Sequence, residues 1–327
     1  YGAGTTEIAK ILEEEGVDYL GVAYVDEGIV LRKSGIDVPI MVMNPEPGSC
    51  AEIIKYDLQP EIYSFEILQE FLKELLVVDR KEYPIHLKLE TGMNRLGFLS
   101  EEIPELIKFL QAHSEFKVKT VFSHLSCADD ANEREFTLSQ ITKYNELASP
   151  VISAFEHKID KHILNTAGIK NFIEHEYDMV RLGIGLYGVN IGENDSELKP
   201  ISTLSSIIIQ IKKLNKGDSI GYSRKTIANK AMKIAVIPIG YADGIRRSLG
   251  NRNFNLYVNG NKCPTLGNVS MATCMIDITN INAKVGDRVE IFGRYNTIVD
   301  MANALNTIPY EVLTSISQRV NRVYYKD

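Results

Sequence analysis

The sequence predicts an α/β fold in two parts, a (β/α)8 TIM-type barrel whose first strand is missing from this chain and a C-terminal, mostly-β domain. Helix-period and strand-like segments alternate from residue 5 to about residue 183, whereas β-branched runs joined by Gly, Asn and Asp turns dominate after about residue 195. The 327 residues, 44% of them hydrophobic, suffice for about two domains. We therefore place the barrel at 1–195 and the β domain at 196–327.

The barrel part begins with an amphipathic helix. The segment TTEIAKILEEEG carries Ile8, Ile11 and Leu12 on one face and ends at Gly16, as a capped helix does. Strand-like and helical segments then alternate, which predicts a parallel sheet with crossover helices. The helix candidates that follow are EGIVLRKSG, GSCAEIIKYD, SFEILQEFLKELL, EIPELIKFLQAH and a long helix over 134–157. The strand candidates are VDYLGVA, VPIMVMN, QPEIY, YPIHLKLE, FKVKTVFSHL, KHILNTA and YDMVRLGIGL.

These seven strand candidates are one short of the eight that close a barrel. An eighth strand just before Tyr1 would complete the set and would explain why the region is shorter than the ~250 residues of a whole barrel. The chain opens without an initiator Met or a signal-peptide pattern, so we expect Tyr1 to be a cut end. The pattern alone does not separate a barrel from a doubly wound sheet.

The second part has the sequence pattern of an all-β domain. Its apolar runs are of strand length, and Asn259-Gly260 in VNGNK is a strong hairpin signal. The runs are TLSSIIIQIKKL, MKIAVIPIG, FNLYVNGNK, TCMIDIT and RVEIFGR.

Composition excludes several classes of function. The net charge is −7 and no stretch clusters basic residues, so we expect no nucleic-acid partner. Apolar runs fall short of the roughly 20 residues that span a bilayer, so we expect no membrane segment. The cysteines have no metal-type spacing, which favours a cytoplasmic protein without a disulfide framework or a structural metal.

One strand and the loop after it carry polar residues that could bind an anion. In YPIHLKLETGMNRLGF, side-chain alternation places His86, Lys88 and Glu90 on the face opposite the apolar residues. Arg95 follows in the loop at the C-terminal end of the strand, where barrels keep their active sites, and an Arg can grip a carboxylate there. Alternatively, Arg95 is a surface charge and Lys88 pairs with Glu90.

Three further residues at strand ends or turns are candidates. Arg181 lies inside the apolar strand candidate MVRLGIGLYG, next to glycines whose N–H groups can approach an anion; a structural carboxylate partner for Arg181 is the competing interpretation. His124 in VFSHLSCADD and Asn165 in HILNTAG end two strand candidates, although each is singly more often structural. Tyr222 in GDSIGYSRKT would, by itself, be a packed turn residue.

Eight segments taken together resemble the alanine racemase family, pyridoxal-phosphate enzymes with a (β/α)8 barrel followed by a β domain. The resemblance covers essentially the whole chain, with the segments in the family's order. It implies interconversion of L- and D-alanine, which supplies D-alanine for bacterial peptidoglycan. The segments are YGAG, LETGMNRLGF, FSHLSCAD, MVRLGIGLYG, GYSRKT, GYADGIRR, GNVSMATCMID and TIPYEV with the trailing ISQRVNR.

The resemblance implies pyridoxal 5'-phosphate as the cofactor. The family's Schiff-base lysine would lie four residues before Tyr1, upstream of this chain. Arg181 would face the pyridine nitrogen; because a guanidinium keeps its proton, the ring would be a weaker electron sink and return of a proton to Cα would be favoured over transamination. The cofactor-binding residues would be Tyr1, Asn165, Thr166, Arg181, Gly183, Ile184 and Tyr310.

Racemisation requires a proton to leave one face of Cα and another to arrive at the opposite face, so two bases are needed. The resemblance implies that the upstream lysine is one base. Tyr222 from a second subunit would be the other, with His124 hydrogen-bonded nearby and Arg181 behind it. A homodimer with shared active sites follows from that arrangement.

The resemblance also assigns the substrate contacts. Arg95 and the backbone N–H of Met271 would hold the carboxylate of alanine, and Tyr241 would narrow the entrance. Lys88 matches a lysine often carbamylated in the family, a modification that would make it an anion orienting Arg95.

The sequence departs from the family in NVSMA. Ala272 stands where the family has Asp, Asn268 where Arg is common and Ser270 where Cys is common. Loss of this carboxylate would either weaken the proton relay through Tyr222 or alter access of the substrate to the site. Alternative functions are a non-catalytic pyridoxal-phosphate-binding protein, which would lack the β domain, and an inert fragment without the lysine. An amino-acid decarboxylase of the same broader fold would need phosphate signatures that we do not find.

Overall fold

The chain folds as two bodies of different architecture. A computed structural model describes residues 1–189 and 198–325. Thr5–Gly183 form one body, here called the barrel body, and Tyr1–Gly4 together with Ile184–Asp327 form the other, here called the β body. The predicted boundary at 195/196 lies outside the described residues.

The barrel body is built on a parallel six-stranded sheet with the strands in sequence order. Helices alternate with these strands, so the predicted α/β, TIM-type architecture is confirmed. The strands are β1 (Leu20–Val22), β2 (Ile40–Val42), β3 (Gln59–Ile62), β4 (Tyr83–Lys88), β5 (Phe116–Phe122) and β6 (Asp160–His162). The helices are α1 (Thr5–Glu14), α2 (Val25–Lys33), α3 (Cys50–Lys55), α4 (Phe65–Val77), α5 (Ile103–Ala112), α6 (Arg134–Ser153) and α7 (Thr166–Asn171).

The barrel helices form where apolar residues recur at helical spacing. In α4, Ile67, Phe71 and Leu75 lie four residues apart and are buried. The long helix α6 was predicted over 134–157 but ends at Ser153, shortly after Pro150, which cannot donate the intrahelical hydrogen bond of its turn.

The seventh predicted strand, YDMVRLGIGL, is wrong as a regular strand. The amides of Asp178 and Met179 both donate to the Lys161 carbonyl, at 3.1 and 3.3 Å, and Arg181 N donates to Leu164 O at 3.0 Å. Two consecutive amides on one acceptor do not fit the even spacing of a parallel ladder. The segment therefore follows the β6 edge irregularly and then enters a 3₁₀ turn, Ile184–Tyr187.

Strand β4 buries both of its faces. Ile85 and Leu87 have no exposed area, as expected for the face against the helices, and His86 and Lys88 on the opposite face are buried as well. The polar face thus lies inside the barrel body, where each polar group needs a partner.

The β body contains an antiparallel seven-stranded sheet in the order β7-β15-β12-β13-β14-β11-β8 and a small β9–β10 hairpin. The predicted mostly-β domain is confirmed, although two helices near its end were not predicted. The strands are β7 (Leu204–Ile207), β8 (Gln210–Leu214), β9 (Ser219–Ile220), β10 (Thr226–Ile227), β11 (Met232–Ile237), β12 (Asn255–Val258), β13 (Asn261–Leu266), β14 (Cys274–Asp277) and β15 (Arg288–Phe292). The helices are α8 (Ile298–Leu305) and α9 (Pro309–Thr314).

Local signals explain these elements. Asn259 and Gly260 adopt φ of 49° and 75° between β12 and β13, as a type I′ turn requires, which confirms the predicted hairpin. Thr297 caps α8 by accepting from Asp300 N, while the Asp300 carboxylate accepts from Thr297 N. In the described part of the chain, no helix combines the length and apolarity needed to cross a membrane.

A close backbone approach fixes the loop between β9 and β10. Gly267 has φ of 62°, and a Cβ added there would lie 2.6 Å from the Ile220 carbonyl oxygen. Gly267 N donates to Thr226 Oγ1 at 3.1 Å. Both strands of the small hairpin are thereby held, and with them the turn Tyr222–Arg224 that they flank.

We expect Gly267→Ala to destabilise the protein by at least about 2 kcal/mol, because a methyl group there meets backbone rather than a movable side chain. Gly217→Ala is the matched control, since Gly217 also has a positive φ, of 95°, but an added Cβ would contact nothing within 4 Å. Calorimetric thermal unfolding of both variants measures the difference. Equal losses would show that the left-handed backbone alone, not the approach to Ile220, sets the cost.

Candidate active site

Arg181 is held in the barrel body through both of its terminal nitrogens. Its Nη1 contacts His162 Nδ1 at 2.6 Å, and its Nη2 donates to the carbonyls of Ser123 and Ile163 at 2.7 and 3.0 Å. Among the described residues no carboxylate lies within ion-pair distance of the guanidinium, so the carboxylate partner weighed from the sequence is not found there. Its position comes from a histidine and from carbonyls at the ends of two strands.

His124 and Asn165 lie beside Arg181. Arg181 Nη2 is 3.3 Å from His124 Nδ1, and Asn165 Nδ2 is 3.5 Å from His124 Nε2. Asn165 also caps helix α7, because its Oδ1 accepts from Gly168 N at 2.9 Å. The structure therefore brings three predicted site residues together. Asn165 also has a structural role, as the N-cap of helix α7.

The buried histidines are kept neutral by their surroundings. Burial and then the charge of Arg181 lower the pKa of His124 to about 3 and hold the pKa of His162 well below its usual value. Burial, with Lys119 adding to it, lowers the pKa of His86 to about 3. A neutral imidazole has one nitrogen free to accept, which is what the Arg181 guanidinium requires of His162 Nδ1.

Lys88 extends toward Glu61 of β3. Lys88 Nζ is 3.9 Å from Glu61 Oε1, and both side chains are almost fully buried. Lys88 therefore pairs with Glu61, and not with Glu90 as the alternative interpretation proposed. Glu61 was missed in the sequence, although its signal was present as a lone charge inside the short strand candidate QPEIY.

The carboxylate of Glu90 organises the loop that carries Arg95. It accepts from the amides of Gly92 and Arg95, the latter at 3.4 Å. The Arg95 side chain is exposed, and its charge acts on Glu61, Lys88 and His124. The loop thus places a solvent-accessible guanidinium near the buried charges.

Thr166 and Gly183 meet at the start of helix α7. Gly183 N donates to Thr166 Oγ1 at 2.9 Å. Two of the predicted cofactor-binding residues are therefore neighbours in the barrel body.

In the β body, aromatic rings gather around Tyr1. Its ring centroid lies 5.4 Å from that of Tyr187 and 5.6 Å from that of Tyr310. Arg322 anchors the segment before α1 by donating to the Gly2 carbonyl. Predicted residues from the two ends of the chain, Tyr1 and Tyr310, thus share one cluster, while Ile184 is fully buried at the start of its turn.

Tyr222 is presented to solvent on a strained turn. Its side chain is 69% exposed, and Gly221, Ser223 and Arg224 all have positive φ. Asn268 Nδ2 donates to the Tyr222 carbonyl at 3.1 Å. Asn268, which the sequence singled out only because it departs from the family pattern, therefore supports the backbone of Tyr222, the candidate base.

Met271 and Tyr241 belong to a second exposed loop pair of the β body. Tyr241 N donates to Ser270 O at 3.0 Å, and Ala242 N donates to Met271 O at 2.9 Å. Ser270 Oγ donates a hydrogen bond to the Thr273 carbonyl within the same loop. No group of three or more potential metal-binding side chains was found within 1–189 and 198–325.

The fold and this site define a two-domain enzyme in which a TIM-type barrel with buried cations precedes an antiparallel β domain. The family described as "Alanine racemase, N-terminal domain" matches residues 1–191, and "Alanine racemase, C-terminal domain" matches residues 201–324. The chain belongs to the alanine racemase family.

Individual relatives agree over nearly the whole chain. Alanine racemase 1 of Clostridium acetobutylicum is 38% identical, over all of this chain and 87% of the relative. The alanine racemase structure of Clostridium difficile 630 superimposes with a TM-score of 0.93 at 35% identity, covering 99% of this chain and 86% of that one. The Bartonella henselae alanine racemase, solved with covalently bound pyridoxal phosphate, gives a TM-score of 0.87 at 28% identity, covering 99% and 90%.

We expect the protein to lose stability as the pH falls below about 6.5. The unfolded chain protonates its histidines near that pH, whereas folded His86 and His124 stay neutral down to about 3. The unfolded state therefore binds more protons in this window, and each such histidine costs about 1.4 kcal/mol per pH unit.

Thermal midpoints between pH 7.5 and 5 measure this slope. His86→Gln keeps hydrogen-bonding groups opposite Thr120 and Gln59 and should flatten it. His175→Gln, at a partly exposed histidine, is the matched control. A slope unaltered by His86→Gln would contradict the assignment.

Proposed function

We propose that this chain interconverts L-alanine and D-alanine with pyridoxal 5'-phosphate as cofactor, in a homodimer whose active sites use residues from both copies. The observation that carries the site assignment is the buried setting of Arg181, with both terminal nitrogens bonded to neutral histidine and carbonyl acceptors. Family membership over the full chain supports the reaction itself.

The residues present suit pyridoxal phosphate. Arg181 Nε makes no hydrogen bond to any residue in the described part of the chain, and so has a donor for a ring nitrogen. Burial lowers the pKa of Arg181 to about 10, which still leaves it protonated near neutral pH. The Thr166 hydroxyl and the Gly183 amide, and in the β body the Tyr1 and Tyr310 hydroxyls, are groups that suit a phosphate.

We assign the cofactor contacts accordingly. Arg181 would hold the ring nitrogen without giving up its proton, which limits electron withdrawal by the ring. When bound, the cofactor supplies acidification of the Cα–H bond of the amino acid. The remaining cofactor-binding residues of this proposal are Tyr1, Asn165, Thr166, Gly183, Ile184 and Tyr310.

Tyr222 would exchange a proton with one face of Cα. Its exposure on a turn held by Asn268 suits a group that serves a second copy of the chain. His124 would accept or donate a hydrogen bond at the Tyr222 hydroxyl and, being neutral, can do either. The proton carrier of the other face would be the lysine that the family has ahead of the position of Tyr1.

Arg95 and the Met271 amide would hold the carboxylate of alanine, and Tyr241 would limit the size of the side chain admitted. Arg95 is exposed and close enough to affect the buried charges, as a group that meets an incoming anion should be. Ala272 in the same loop as Met271 leaves more space than the family's Asp.

We also propose a cytoplasmic location and a supply of D-alanine to peptidoglycan. All four cysteines are free thiols, and burial raises the pKa of Cys50 and of Cys274 to about 12, so neither is a reactive thiolate. The second candidate, a non-catalytic pyridoxal-phosphate carrier, is disfavoured by the β body, which such proteins lack.

The direct test is a chirality assay. The purified protein, produced with the family's lysine ahead of the position of Tyr1 and supplied with pyridoxal phosphate, should bring either enantiomer of alanine to an equal mixture, followed by polarimetry or chiral chromatography. A protein that binds the cofactor but leaves both enantiomers unchanged would support the carrier alternative.

We expect Tyr222→Phe to lower racemisation by about 10²-fold or more, because one face of Cα loses its acid and base. The two enantiomers should then differ in D₂O: α-deuterium should enter D-alanine but not L-alanine, measured by proton NMR. Tyr257→Phe, in strand β12 away from the turn, is the control. Equal loss of exchange from both enantiomers would count against a one-sided role.

We expect two inactive variants to complement each other if the active sites are shared. Arg95→Ala removes a barrel contribution, and Tyr222→Phe removes a contribution of the β body. Mixed dimers would contain one intact site, so a randomly reassociated equimolar mixture should recover about a quarter of the wild-type rate. Absence of recovery, with mixed dimers verified by mass spectrometry, would place both residues in one copy's site.

A further inference from the structure

The opening segment YGAG lies against residues near the other end of the chain. The contacts come from ISQRVNRVY, residues 316–324, here called the tail. Arg322 donates to the Gly2 carbonyl from Nε at 3.2 Å and from Nη2 at 2.9 Å, and the Tyr324 hydroxyl donates to the Ala3 carbonyl at 2.7 Å. The tail thus holds two consecutive carbonyls directly after Tyr1.

The Arg322 guanidinium is itself fixed within the tail. Its Nη1 donates to the carbonyls of Ser317 and Val320 at 2.6 and 2.7 Å, and its Nη2 also donates to the Ile316 carbonyl at 2.9 Å. A planar guanidinium that is bonded through all three nitrogens has little freedom to rotate. The tail therefore presents a rigid pair of donors to the Gly2 carbonyl.

The two glycines of YGAG make this contact possible. Gly2 and Gly4 have φ of 79° and 110°, in the region that favours glycine. A Cβ at Gly4 would overlap the Tyr324 hydroxyl, and a Cβ at Gly2 would lie 3.1 Å from the Leu313 carbonyl oxygen in helix α9. The opening segment therefore needs glycine at both positions to fit against the tail and α9.

The tail also contacts the turn that carries Tyr241. Arg319 Nε donates to Asp243 Oδ1 at 2.6 Å, while Oδ2 of the same carboxylate accepts from Gly240 N at 2.8 Å. The Asp243 carbonyl accepts from Ser317 N at 3.4 Å. Because Gly240 and Asp243 lie on either side of Tyr241, the tail restrains this turn as well.

We propose that the tail positions two groups of the active site. Arg322 and Tyr324 set the position of Tyr1, and hence of a hydroxyl that suits the cofactor phosphate. Arg319 sets the position of the turn that carries Tyr241, and hence of the substrate entrance. All three tail residues are positioning residues, since each acts through another group. The inference deepens the proposed function and rests on it for the roles of Tyr1 and Tyr241.

Tyr1 depends on the tail because its side chain packs against aromatic rings. Its ring centroid lies 5.4 Å from that of Tyr187, edge-on, and 5.6 Å from that of Tyr310, tilted. Such ring contacts tolerate small shifts, whereas a hydrogen bond to a phosphate weakens steeply when its distance or angle changes. The backbone after Tyr1 therefore requires a separate restraint, which Gly2 and Ala3 obtain from the tail.

Cofactor binding tests the roles of Arg322 and Tyr324, in protein produced with the family's lysine ahead of the position of Tyr1. The probes are pyridoxal phosphate and 5′-deoxypyridoxal, which has the same ring and aldehyde but no phosphate. Tyr324→Phe removes one hydroxyl and should weaken binding of pyridoxal phosphate about five- to tenfold in equilibrium dialysis, with 5′-deoxypyridoxal changed less than about twofold. Tyr325→Phe, at a side chain that is 86% exposed, is the matched control.

Two further variants separate positioning from a general loss of structure. Arg322→Lys keeps the positive charge but not the planar pair of donors, so it should behave as Tyr324→Phe does. Adding Tyr324→Phe to Tyr1→Phe should weaken pyridoxal phosphate binding no further than Tyr1→Phe alone, because Tyr324 acts through the Tyr1 hydroxyl. Thermal unfolding verifies that each variant is folded. Equal weakening of both probes, unchanged binding of both, or additive losses in the double variant would overturn these two roles.

Substrate affinity tests the role of Arg319. The turn of Tyr241 is bonded to the loop of Met271, since Ala242 N donates to Met271 O at 2.9 Å. Arg319→Gln should therefore raise KM for alanine about tenfold, with kcat changed less than about twofold and binding of pyridoxal phosphate unchanged. Tyr324→Phe is the control for this variant, because it should alter cofactor binding and not KM at saturating cofactor. A loss of kcat at unchanged KM would overturn the role of Arg319.

The cofactor measurements require no turnover. A protein that fails the chirality assay yet shows the phosphate-specific losses would reject the proposed function and retain the roles of Arg322 and Tyr324. In such a protein, the dissociation constant of alanine from isothermal titration calorimetry replaces KM for Arg319→Gln. A protein that racemises alanine but binds both probes normally in Tyr324→Phe and Arg322→Lys would retain the proposed function and reject the inference for Tyr1.

Discussion

The fold of the barrel body depends on burying cations next to groups that offset the free-energy cost of burying their charge. Arg181 and Lys88 both lie against the ring of Phe122, at 5.4 and 4.4 Å from its centroid. The guanidinium is compensated by histidine and carbonyl acceptors, and the ammonium by Glu61. Because unpaired buried charge is costly, these partners fix which strands can neighbour one another.

The same constraint extends to the buried histidines. His162 accepts from Arg181 and also bonds to Thr120 Oγ1, which in turn contacts His86. Protonating any ring in this series would place a further cation beside Arg181 and remove an acceptor. The network is therefore consistent only with neutral imidazoles, and these rings keep one protonation state over the physiological pH range.

In the β body, the corresponding constraint is to hold the backbone of an exposed side chain in a defined conformation. Tyr222 is on a turn with several left-handed residues, which persists because the flanking strands are fixed by Gly267 and the turn carbonyl by Asn268. Asn268 departs from the family pattern, yet it supplies the donor that this carbonyl requires. The strained turn is thus supported by hydrogen bonds from Gly267 and Asn268, in the loop that follows strand β13.

The sequence by itself determined the alternation of strands and helices followed by a β domain, the helices α1 to α6, the hairpin at Asn259-Gly260 and most of the candidate site residues. These features follow from local periodicity, from turn chemistry and from short motifs, all of which involve residues that are close together in the sequence. Only the tertiary structure decided that the segment around Arg181 is not a regular strand and that Lys88 faces Glu61 instead of Glu90. Both outcomes depend on contacts between residues distant in the chain, Lys161 with Asp178 and strand β3 with strand β4. Such pairings are set by the alignment of neighbouring strands, which no local pattern specifies.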